Sequence, residues 1–373
     1  MEKECDVILT YCWNRVGYNI LKSLSEAGYN VVVADTSKYN SCSLSKFNMD
    51  SFRYPNPFID EEGFIKCLLK NIQKYKPKIL LPTHDESLIV AKHVKKFPNN
   101  LIIATEDYDK LIKLSDKEFS TKLAKTINIP TPKIYNSIND IDNFPIVFKT
   151  KFGNSAKTVF FPKNENELSA LFSTFKSNNI LIEEFIQGID YSVDCIRING
   201  LFYASVYKAI LTKTKGGGTT TQRIIIDFPQ LIKYSKKMLD KVDYNGVCGL
   251  DYKYDEKTGR IAFLEINARY TGGLATQITS GFNIPLIHCN ILLGKNPPPL
   301  RIKIGTKTKW ILGDLITLIT RISKMNLSKD ELKLIMNFKY DSFDDFDKED
   351  KKAFLGEVFY YLTKFLKYRE LNP

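Results

Sequence analysis

One segment of the chain combines residue types and spacing that suit a divalent metal ion. It reads Phe263-Leu264-Glu265-Ile266-Asn267-Ala268-Arg269. Side chains alternate along a β-strand, so Glu265 and Asn267 project from the same face. Asp251 lies on the preceding strand of a predicted hairpin and brings a second carboxylate to that face. Because Mg²⁺ prefers carboxylate and amide oxygens, these three residues are candidate metal ligands.

The residues that follow this strand favour a metal that accompanies phosphate. Arg269 adds a cation, and Gly272 and Gly273 offer open backbone amides. Without them, a strand whose Glu and Asn face solvent would explain the pattern equally well. We therefore predict the Mg²⁺ of a nucleotide here, with Gly272 and Gly273 as candidate substrate contacts.

Two lysines are candidates for binding the phosphates. Lys149 follows the apolar run Ile146-Val147-Phe148 and precedes a loop of small residues that contains Gly153 and Ser155. The amides of such a loop, together with a lysine, can hold phosphate oxygens. Lys117, at the start of a predicted helix, is the second candidate. The G-x-x-x-x-G-K-[ST] pattern is absent, and one lysine among 54 Lys and Arg residues is ordinarily a solvated surface charge.

A third segment joins two strands through acidic residues and a glycine. It reads Ile180-Leu181-Ile182-Glu183-Glu184-Phe185-Ile186-Gln187-Gly188-Ile189-Asp190. A glutamate here can accept from an adenine amino group, a nearby amide can donate to a ring nitrogen, and Asp190 can accept from ribose hydroxyls. Taken alone, an ordinary bulged strand connection is the simpler explanation.

The elements that must position these segments begin with an α/β pattern. Short apolar strands, such as Val31 to Asp35, alternate with helical spacing, which favours an open parallel sheet. The first turn has Cys12 and Asn14 where the G-x-G-x-x-G pattern needs glycine. This argues against dinucleotide binding and favours a structural or substrate-binding Rossmann-like domain.

After residue 114 the pattern changes. Ser115 and Glu118 have the spacing of a capping box at a helix start. Residues 146–211 are mostly strands, and strands at 249–254 and 260–266 form a predicted hairpin. The tail contains amphipathic helices at 310–322 and 351–368.

Composition excludes several classes of protein. The chain has 373 residues, and 54 Lys and Arg against 42 Asp and Glu give a net charge of +12. Three widely spaced histidines argue against a His-rich zinc site, and seven cysteines without a C-x-x-C pair indicate reduced thiols. The acidic start and the lack of a long apolar run predict a cytoplasmic protein without signal peptide or membrane span. No nucleic-acid motif accompanies the positive charge, which argues against such a partner.

In their order along the chain, these pieces resemble the ATP-grasp superfamily of carboxylate-amine ligases, which includes halves of the carbamoyl-phosphate synthetase large chain. The resemblance covers roughly residues 5–300. It implies an α/β fold with a Rossmann-like, parallel-sheet N-terminal domain (1–114) and a two-subdomain α+β ATP-grasp clamp. The clamp would comprise a small subdomain (115–186) and a central subdomain (187–299), followed by a helical C-terminal extension (300–373).

The resemblance implies roles for the matching residues, with ATP and Mg²⁺ as cofactors. The phosphate contacts would be Lys117, Lys149, Gly153 and Ser155. The adenine and ribose contacts would be Glu183, Glu184, Ile186 and Asp190. The ligands of two Mg²⁺ ions, for which Mn²⁺ is an alternative, would be Asp251, Glu265 and Asn267. The catalytic residues would be Arg269 and Lys149. The loop Asn154-Ser155-Ala156-Lys157 departs from relatives that are richer in glycine.

The resemblance also implies the reaction. ATP would phosphorylate a carboxylic acid to an acyl phosphate, and an amine would then form an amide with release of ADP and phosphate. The alternatives are an inactive ATP-binding sensor or scaffold and acyl transfer to a carrier thiol. The partners would be ATP, a small carboxylic acid and an amine-bearing acceptor, without nucleic acid or membrane; a homodimer is left open.

Weaker substrate candidates lie in two other segments. Lys215 and Arg223 flank a Gly216-Gly217-Gly218 loop whose position suits a cover over the acceptor, although a flexible hairpin loop explains it equally well. His84 and Glu86 follow a strand end that would face the cleft, although a capped helix start is the simpler explanation there.

Overall fold

The N-terminal domain is built on a parallel sheet. In the computed structural model, which describes residues 4–153, 158–175 and 179–368, this sheet has five strands. They are β1 (Val7–Leu9), β2 (Val31–Asp35), β3 (Asp50–Arg53), β4 (Ile79–Leu81) and β5 (Ile102–Ile103). Their order is β3-β2-β1-β4-β5, and all neighbours run parallel. The connecting helices are α1 (Arg15–Glu26), α2 (Glu61–Tyr75) and α3 (Glu86–Lys92). The predicted Rossmann-like domain is therefore confirmed.

Local sequence explains why these elements form. All five residues of β2 are buried, as expected for a parallel strand covered on both faces. Helix α1 begins after Asn14, whose side-chain oxygen accepts hydrogen bonds from the backbone N–H groups of Val16 (2.9 Å) and Gly17 (3.1 Å). Its apolar face, including Leu21 and Leu24, is buried in the domain core.

Two helices follow the parallel sheet: α4 (Tyr108–Ser115) and α5 (Lys117–Thr126). Asp116 caps α5, because its side chain accepts from the N–H groups of Glu118 (2.8 Å) and Phe119 (3.1 Å). Ser115 instead ends α4, and its hydroxyl donates to the Leu111 carbonyl. The predicted cap was therefore wrong by one residue, since aspartate caps helices as well as serine does. Lys117 is the first residue of α5.

A small antiparallel sheet follows. Among the described residues it contains β6 (Ile146–Thr150), β7 (Val159–Phe160) and β8 (Ile180–Glu184), with β6 in the centre. Helix α6 (Glu165–Thr174) covers it, and Phe148 of β6 packs edge-on against Phe172, with ring centroids 5.4 Å apart. Because side chains alternate along β6, this packing turns Lys149 to the other face of the sheet.

Seven strands of the described chain form a large sheet. They are β9 (Ile189–Ile198), β10 (Leu201–Thr214), β11 (Gly217–Ile226), β12 (Gly246–Asp255), β13 (Arg260–Asn267), β14 (Lys307–Lys309) and β15 (Ser342–Phe343). Their order is β13-β12-β9-β10-β11-β14-β15, and only β14 and β15 run parallel to each other. The predicted hairpin is confirmed as β12 and β13. The helices that follow β11 and β13 are α7 (Pro229–Lys241), α8 (Leu274–Ser280) and α9 (Ile284–Leu292).

The two faces of this sheet differ in chemistry. On one face, Val193 of β9 and Leu250 of β12 join a core that includes Leu231 and Met238 of α7. The other face is polar where β9, β12 and β13 meet. Its residues are Asp190, Ser192, Asp194, Asp251, Lys253, Glu265 and Asn267. This face carries the candidate site.

The C-terminal tail is part of the same sheet. Its helices are α10 (Ile311–Ser323), α11 (Lys329–Met336) and α12 (Lys351–Tyr368), and α10 and α12 confirm the two predicted helices. Strand β14 pairs with β11, and β15 pairs with β14, so the helical extension also adds two short strands to the large sheet. No helix in the described ranges has the length and apolarity needed to cross a bilayer.

Candidate active site

The three candidate metal ligands meet on the polar face of the large sheet. Asp251 of β12 lies directly opposite Glu265 of β13 in the hairpin register. Asn267, two residues further along β13, donates from Nδ2 to Asp251 Oδ2 at 3.0 Å. Strand alternation and hairpin register therefore produce the grouping that the sequence predicted.

The electrostatics of this group suit a cation. Burial and the neighbouring Glu265 carboxylate raise the pKa of Asp251 well above its usual range. Burial also raises the pKa of Glu265, but the nearby Lys117 and Lys149 ammonium groups lower it by more. The pKa of Glu265 is therefore below its usual value. Two close carboxylates and an amide oxygen are a donor set that fits Mg²⁺. Within the described residues, no group of three or more His, Cys, Asp and Glu side chains has an arrangement that could hold a metal.

Lys117 connects the acidic group to the phosphate loop. Its Nζ lies 3.3 Å from Glu265 Oε2 and donates to the carbonyl of Gly153 at 2.6 Å. Gly153 has a φ of 124°, a backbone conformation that strains other residues. Ser155, the other predicted loop contact, lies outside the described residues.

Lys149 and Glu183 form a buried ion pair. Lys149 Nζ lies 2.6 Å from Glu183 Oε2, and 7% and 2% of their side-chain surfaces are exposed. Glu184, the next residue, has its carboxylate on the other side of β8, where Arg260 binds both oxygens at 2.7 Å. The Glu184 carboxylate therefore faces away from Lys149, and its contact with a nucleotide stays a prediction. Ile186 is buried after the strand end.

Sequence analysis missed Lys253, which holds Asp190. Lys253 Nζ lies 2.7 Å from Asp190 Oδ1 and also donates to the carbonyl of Gly216 at 3.0 Å. The glycine loop therefore lies over the Asp190 end of the polar face. Alternation along β12 could have identified Lys253, because it lies two residues after Asp251 and shares its face.

Arg269 is oriented from two sides. Its Nη2 donates to Asn267 Oδ1 at 3.2 Å, and its Nε lies 3.1 Å from Asp85 Oδ1 in the N-terminal domain. His84 lies on the other side of Asp85, with Nδ1 3.3 Å from Oδ2, and its ring stacks on Tyr11. Burial raises the pKa of Asp85, but His84 and Arg269 more than reverse this and hold it well below its usual range. Asp85 was not predicted, since 184 residues separate it from Arg269.

A cavity of about 220 Å³ adjoins these groups. Its polar lining includes Asp85, Lys117, Glu265, Asn267 and Arg269. Apolar side chains from the N-terminal domain, such as Leu88 and Leu111, and from the large sheet, such as Ile266, complete the wall. The cavity therefore joins the N-terminal domain to the acidic group of the large sheet.

The weaker substrate candidates Glu86, Arg223 and Lys215 all have partners within the chain. Glu86 is fully buried and accepts hydrogen bonds from Thr10 Oγ1 and the N–H groups of Thr83 and His84, so it stabilises a helix start. Arg223 is also buried, and its Nη1 lies 2.5 Å from Asp344 Oδ2, so that ion pair occupies the group predicted to bind substrate. Lys215 is half-exposed, 3.9 Å from Glu331.

The adjacent glycines are required for close packing. A Cβ atom at Gly272 would lie 2.7 Å from Arg15 Nη2, and one at Gly273 would lie 2.2 Å from the Tyr207 ring. The N–H of Gly273 donates to Thr271 Oγ1 at 3.2 Å. Their predicted contact with a substrate stays a prediction.

Comparison with known proteins shows a likeness to ATP-grasp proteins. Residues 176–311 match the family model described as "ATP-grasp in the biosynthetic pathway with Ter operon". This part of the chain therefore resembles an ATP-grasp domain, and the resemblance that the sequence predicted is confirmed.

Curated relatives agree with this class. The chain is 20% identical over 294 residues to the carbamoyl phosphate synthase large chain of Clostridium acetobutylicum, covering 74% of this chain and 27% of that protein. It is 24% identical over 163 residues to the D-alanine–D-alanine ligase of Fusobacterium nucleatum, covering 41% of this chain and 55% of that protein. The chain thus spans less than two thirds of either relative.

Solved structures share the fold. An L-amino acid ligase from Bacillus licheniformis has a TM-score of 0.62 and 17% identity, covering 78% of this chain and 75% of that one. N5-carboxyaminoimidazole synthetase from Staphylococcus aureus, complexed with ADP, has a TM-score of 0.64 and 17% identity, covering 82% of both chains. A likeness at this identity concerns the fold alone.

Proposed function

We propose that this protein is an ATP-dependent ligase that activates a small carboxylic acid as an acyl phosphate and joins it to an amine. The proposal rests on one observation: cationic side chains and side chains with oxygen ligands lie in contact with each other. Lys117 contacts Glu265, and Arg269 contacts Asn267, beside a cavity between two domains. A nucleoside triphosphate with its metal requires both kinds of group.

In this assignment the nucleotide lies along the polar face. Lys117 and Lys149 bind phosphate oxygens, and the Lys149 contact fixes the Glu183 carboxylate for an adenine amino group. Backbone groups beside Ile186 bind the adenine ring. Asp190 Oδ1 stays on Lys253, so a ribose hydroxyl would bind its other oxygen.

Asp251, Glu265 and Asn267 would hold Mg²⁺. The metal, when bound, neutralises phosphate charge and orients the phosphoryl group. The protein's own contribution is the hairpin register, which holds the three side chains together before the ligand arrives.

The reaction balances without a side-chain nucleophile. An oxygen of the acid attacks the γ-phosphorus of ATP, the bond to the bridging oxygen breaks, and ADP leaves. The amine then attacks the acyl carbon, phosphate leaves with the bonding electrons, and the amine proton passes to phosphate or solvent. Arg269, oriented by Asp85, neutralises the oxygens that gain charge.

The comparisons support an amine acceptor. The D-alanine–D-alanine ligase and the L-amino acid ligase are both named for joining amino acids. We therefore propose an amino acid or a peptide as the first substrates to test. A carrier thiol is the alternative acceptor.

A phosphate-release screen over carboxylic acids tests this function. Hydroxylamine replaces the acceptor and traps an acyl phosphate as a hydroxamate, so the acid is identified without knowledge of the amine. The expected result is ATP-dependent phosphate and hydroxamate with one class of acid, both lost in Glu265→Gln. If Mg·ATP raises the melting temperature but every acid leaves phosphate release at background, the protein is instead an ATP-binding sensor or scaffold.

A further inference from the structure

Arg15, the first residue of α1, has a guanidinium group that the chain leaves partly unpaired. Only 9% of its side-chain surface is exposed, and its Nε lies 3.3 Å from Asp344 Oδ2 without making a hydrogen bond. Its Nη1 and Nη2 atoms have no hydrogen-bond acceptor among the described residues, and unlike Nε they remain accessible to water. Because a guanidinium that is nearly buried without acceptors is costly, these two nitrogens indicate a place for a ligand.

The acidic groups around Arg15 leave positive charge there. Arg223 holds Asp344 more closely than Arg15 does, because its Nη1 lies 2.5 Å from the same oxygen. Burial raises the pKa of Asp345 to about 7 and raises the pKa of Glu357 well above its usual range. These two acids therefore carry only part of a negative charge near neutral pH, while two guanidinium groups share one carboxylate. The remaining positive charge favours an anionic ligand.

The two guanidinium groups converge on the backbone of Gly272. A Cβ atom at Gly272 would lie 2.7 Å from Arg15 Nη2 and 3.9 Å from Arg223 Nη2. Gly272 follows Arg269 by three residues, and consecutive Cα atoms are about 3.8 Å apart, so their Cα atoms are separated by at most about 11 Å. One small molecule can therefore reach both Arg15 and the Arg269 end of the candidate site.

Aromatic rings form a wall between these two arginines. The Arg15 guanidinium lies 3.7 Å from the ring centroid of Trp310, and this stacking fixes its orientation. A row of rings continues from there toward His84 and Asp85, with neighbouring centroids 5.9–6.4 Å apart; its members are Trp310, Tyr361, Trp13 and Tyr11. The last three are half-buried, and Tyr11 stacks on His84. Such a wall suits the carbon skeleton of a ligand whose polar ends lie at the two arginines.

We propose that Nη1 and Nη2 of Arg15 bind a substrate carboxylate that does not react. The planar fork of a guanidinium matches the two oxygens of a carboxylate. The proposal rests on the proposed function, because it assigns the reacting carboxylate to Arg269. The second carboxylate belongs either to an amino-acid or peptide acceptor or to an acid that has two carboxylates. It adds to the Asp344 contact and does not replace it, so Arg15 continues to join α1 to the tail.

Steady-state kinetics of Arg15→Met test the proposal. Methionine retains an apolar contact with Trp310 but has no guanidinium. We expect the KM of one substrate to rise about 10- to 100-fold with kcat within about threefold, because a lost charge-assisted contact to a group that does not react weakens binding alone. With hydroxylamine as acceptor, a rise places the second carboxylate on the acid. With a panel of L-amino acids and their amides, a rise for the amino acids alone places it on the acceptor.

Arg321→Met is the matched control. Arg321 is also buried, and its Nη2 donates to the carbonyl of Thr212 at 3.1 Å. Its loss should lower stability, as the loss of Arg15 does, and leave both KM values within about twofold of wild type. If Arg15→Met fails to fold, Gly272→Ala provides the same test, because its Cβ would displace the flexible end of Arg15. The same rise in KM is expected.

Failure of this proposal is distinguishable from failure of the proposed function. Ligase activity with unchanged KM values in the folded variant would overturn the carboxylate site and leave the function intact. If no acid gives turnover, melting temperatures with Mg·ATP and the same panel of acids and amino acids test the site directly. A carboxylate that stabilises the wild type and not the Arg15→Met variant would support the site without the ligase. Equal effects on both proteins, or none, would overturn it.

Discussion

Two clusters of charge lie on the same face of the large sheet, and they differ in exposure. In the candidate site, the Glu265 side chain next to Lys117 is 32% exposed. In the second cluster, which we call the tail cluster, Arg15 of α1 and Arg223 of β11 share Asp344 of the tail, and Asp344 is fully buried. Similar residue types thus serve opposite purposes. Solvent-exposed charges can exchange a protein partner for a ligand. The buried charges of the tail cluster instead hold α1, β11 and the C-terminal tail together.

The largest expected effect is on turnover, after a substitution in the candidate site. Glu265→Gln keeps the size of the side chain and removes the charge that would hold a metal. We expect turnover to fall about 10³- to 10⁴-fold, or roughly 4–5.5 kcal/mol, with the melting temperature within a few degrees of wild type. Phosphate release and thermal unfolding measure the two quantities. Near-full activity would contradict the metal assignment.

The corresponding change in the tail cluster should act on stability. Asp344→Asn removes the buried negative charge that balances Arg15 and Arg223. We expect the free energy of unfolding to fall by about 3 kcal/mol, since removing one partner leaves buried charge uncompensated. Urea unfolding measures it. A loss below about 1 kcal/mol, the range of surface ion pairs, would show that water reaches this cluster.

The two clusters were not equally predictable from sequence. Glu265, Asn267 and Asp251 follow from strand alternation and a hairpin, which are local rules. Arg223 and Asp344 are 121 residues apart, and their pairing depends on how the tail strands join β11, which no local pattern specifies. Arg223 was therefore predicted as a substrate contact from its charge and from its place beside the glycine loop.

A smaller effect is expected where the domains meet at Arg269. Asp85→Asn retains the shape but weakens the contact that orients the guanidinium. We expect kcat to fall about thirtyfold, or roughly 2 kcal/mol, with little change in the KM for ATP. Asp85→Glu should restore part of the activity, whereas a purely structural role would lower the melting temperature and leave kcat per folded enzyme unchanged. His84→Gln is a control for loss of the neighbouring ring.

The smallest effect is expected at Lys215, which belongs to neither cluster. Its side chain is half-exposed, and its ammonium group is 3.9 Å from Glu331, a separation at which surface pairs contribute about 0–1 kcal/mol. Lys215→Ala should therefore change kcat and the KM of the acid by less than about twofold, and stability by less than about 0.5 kcal/mol. Steady-state kinetics with the acid found by the hydroxamate screen checks this. An exposed charge affects binding only when a ligand removes water from it. A tenfold rise in the KM of the acid would therefore mean that the glycine loop closes over the substrate and that Lys215 belongs to the candidate site.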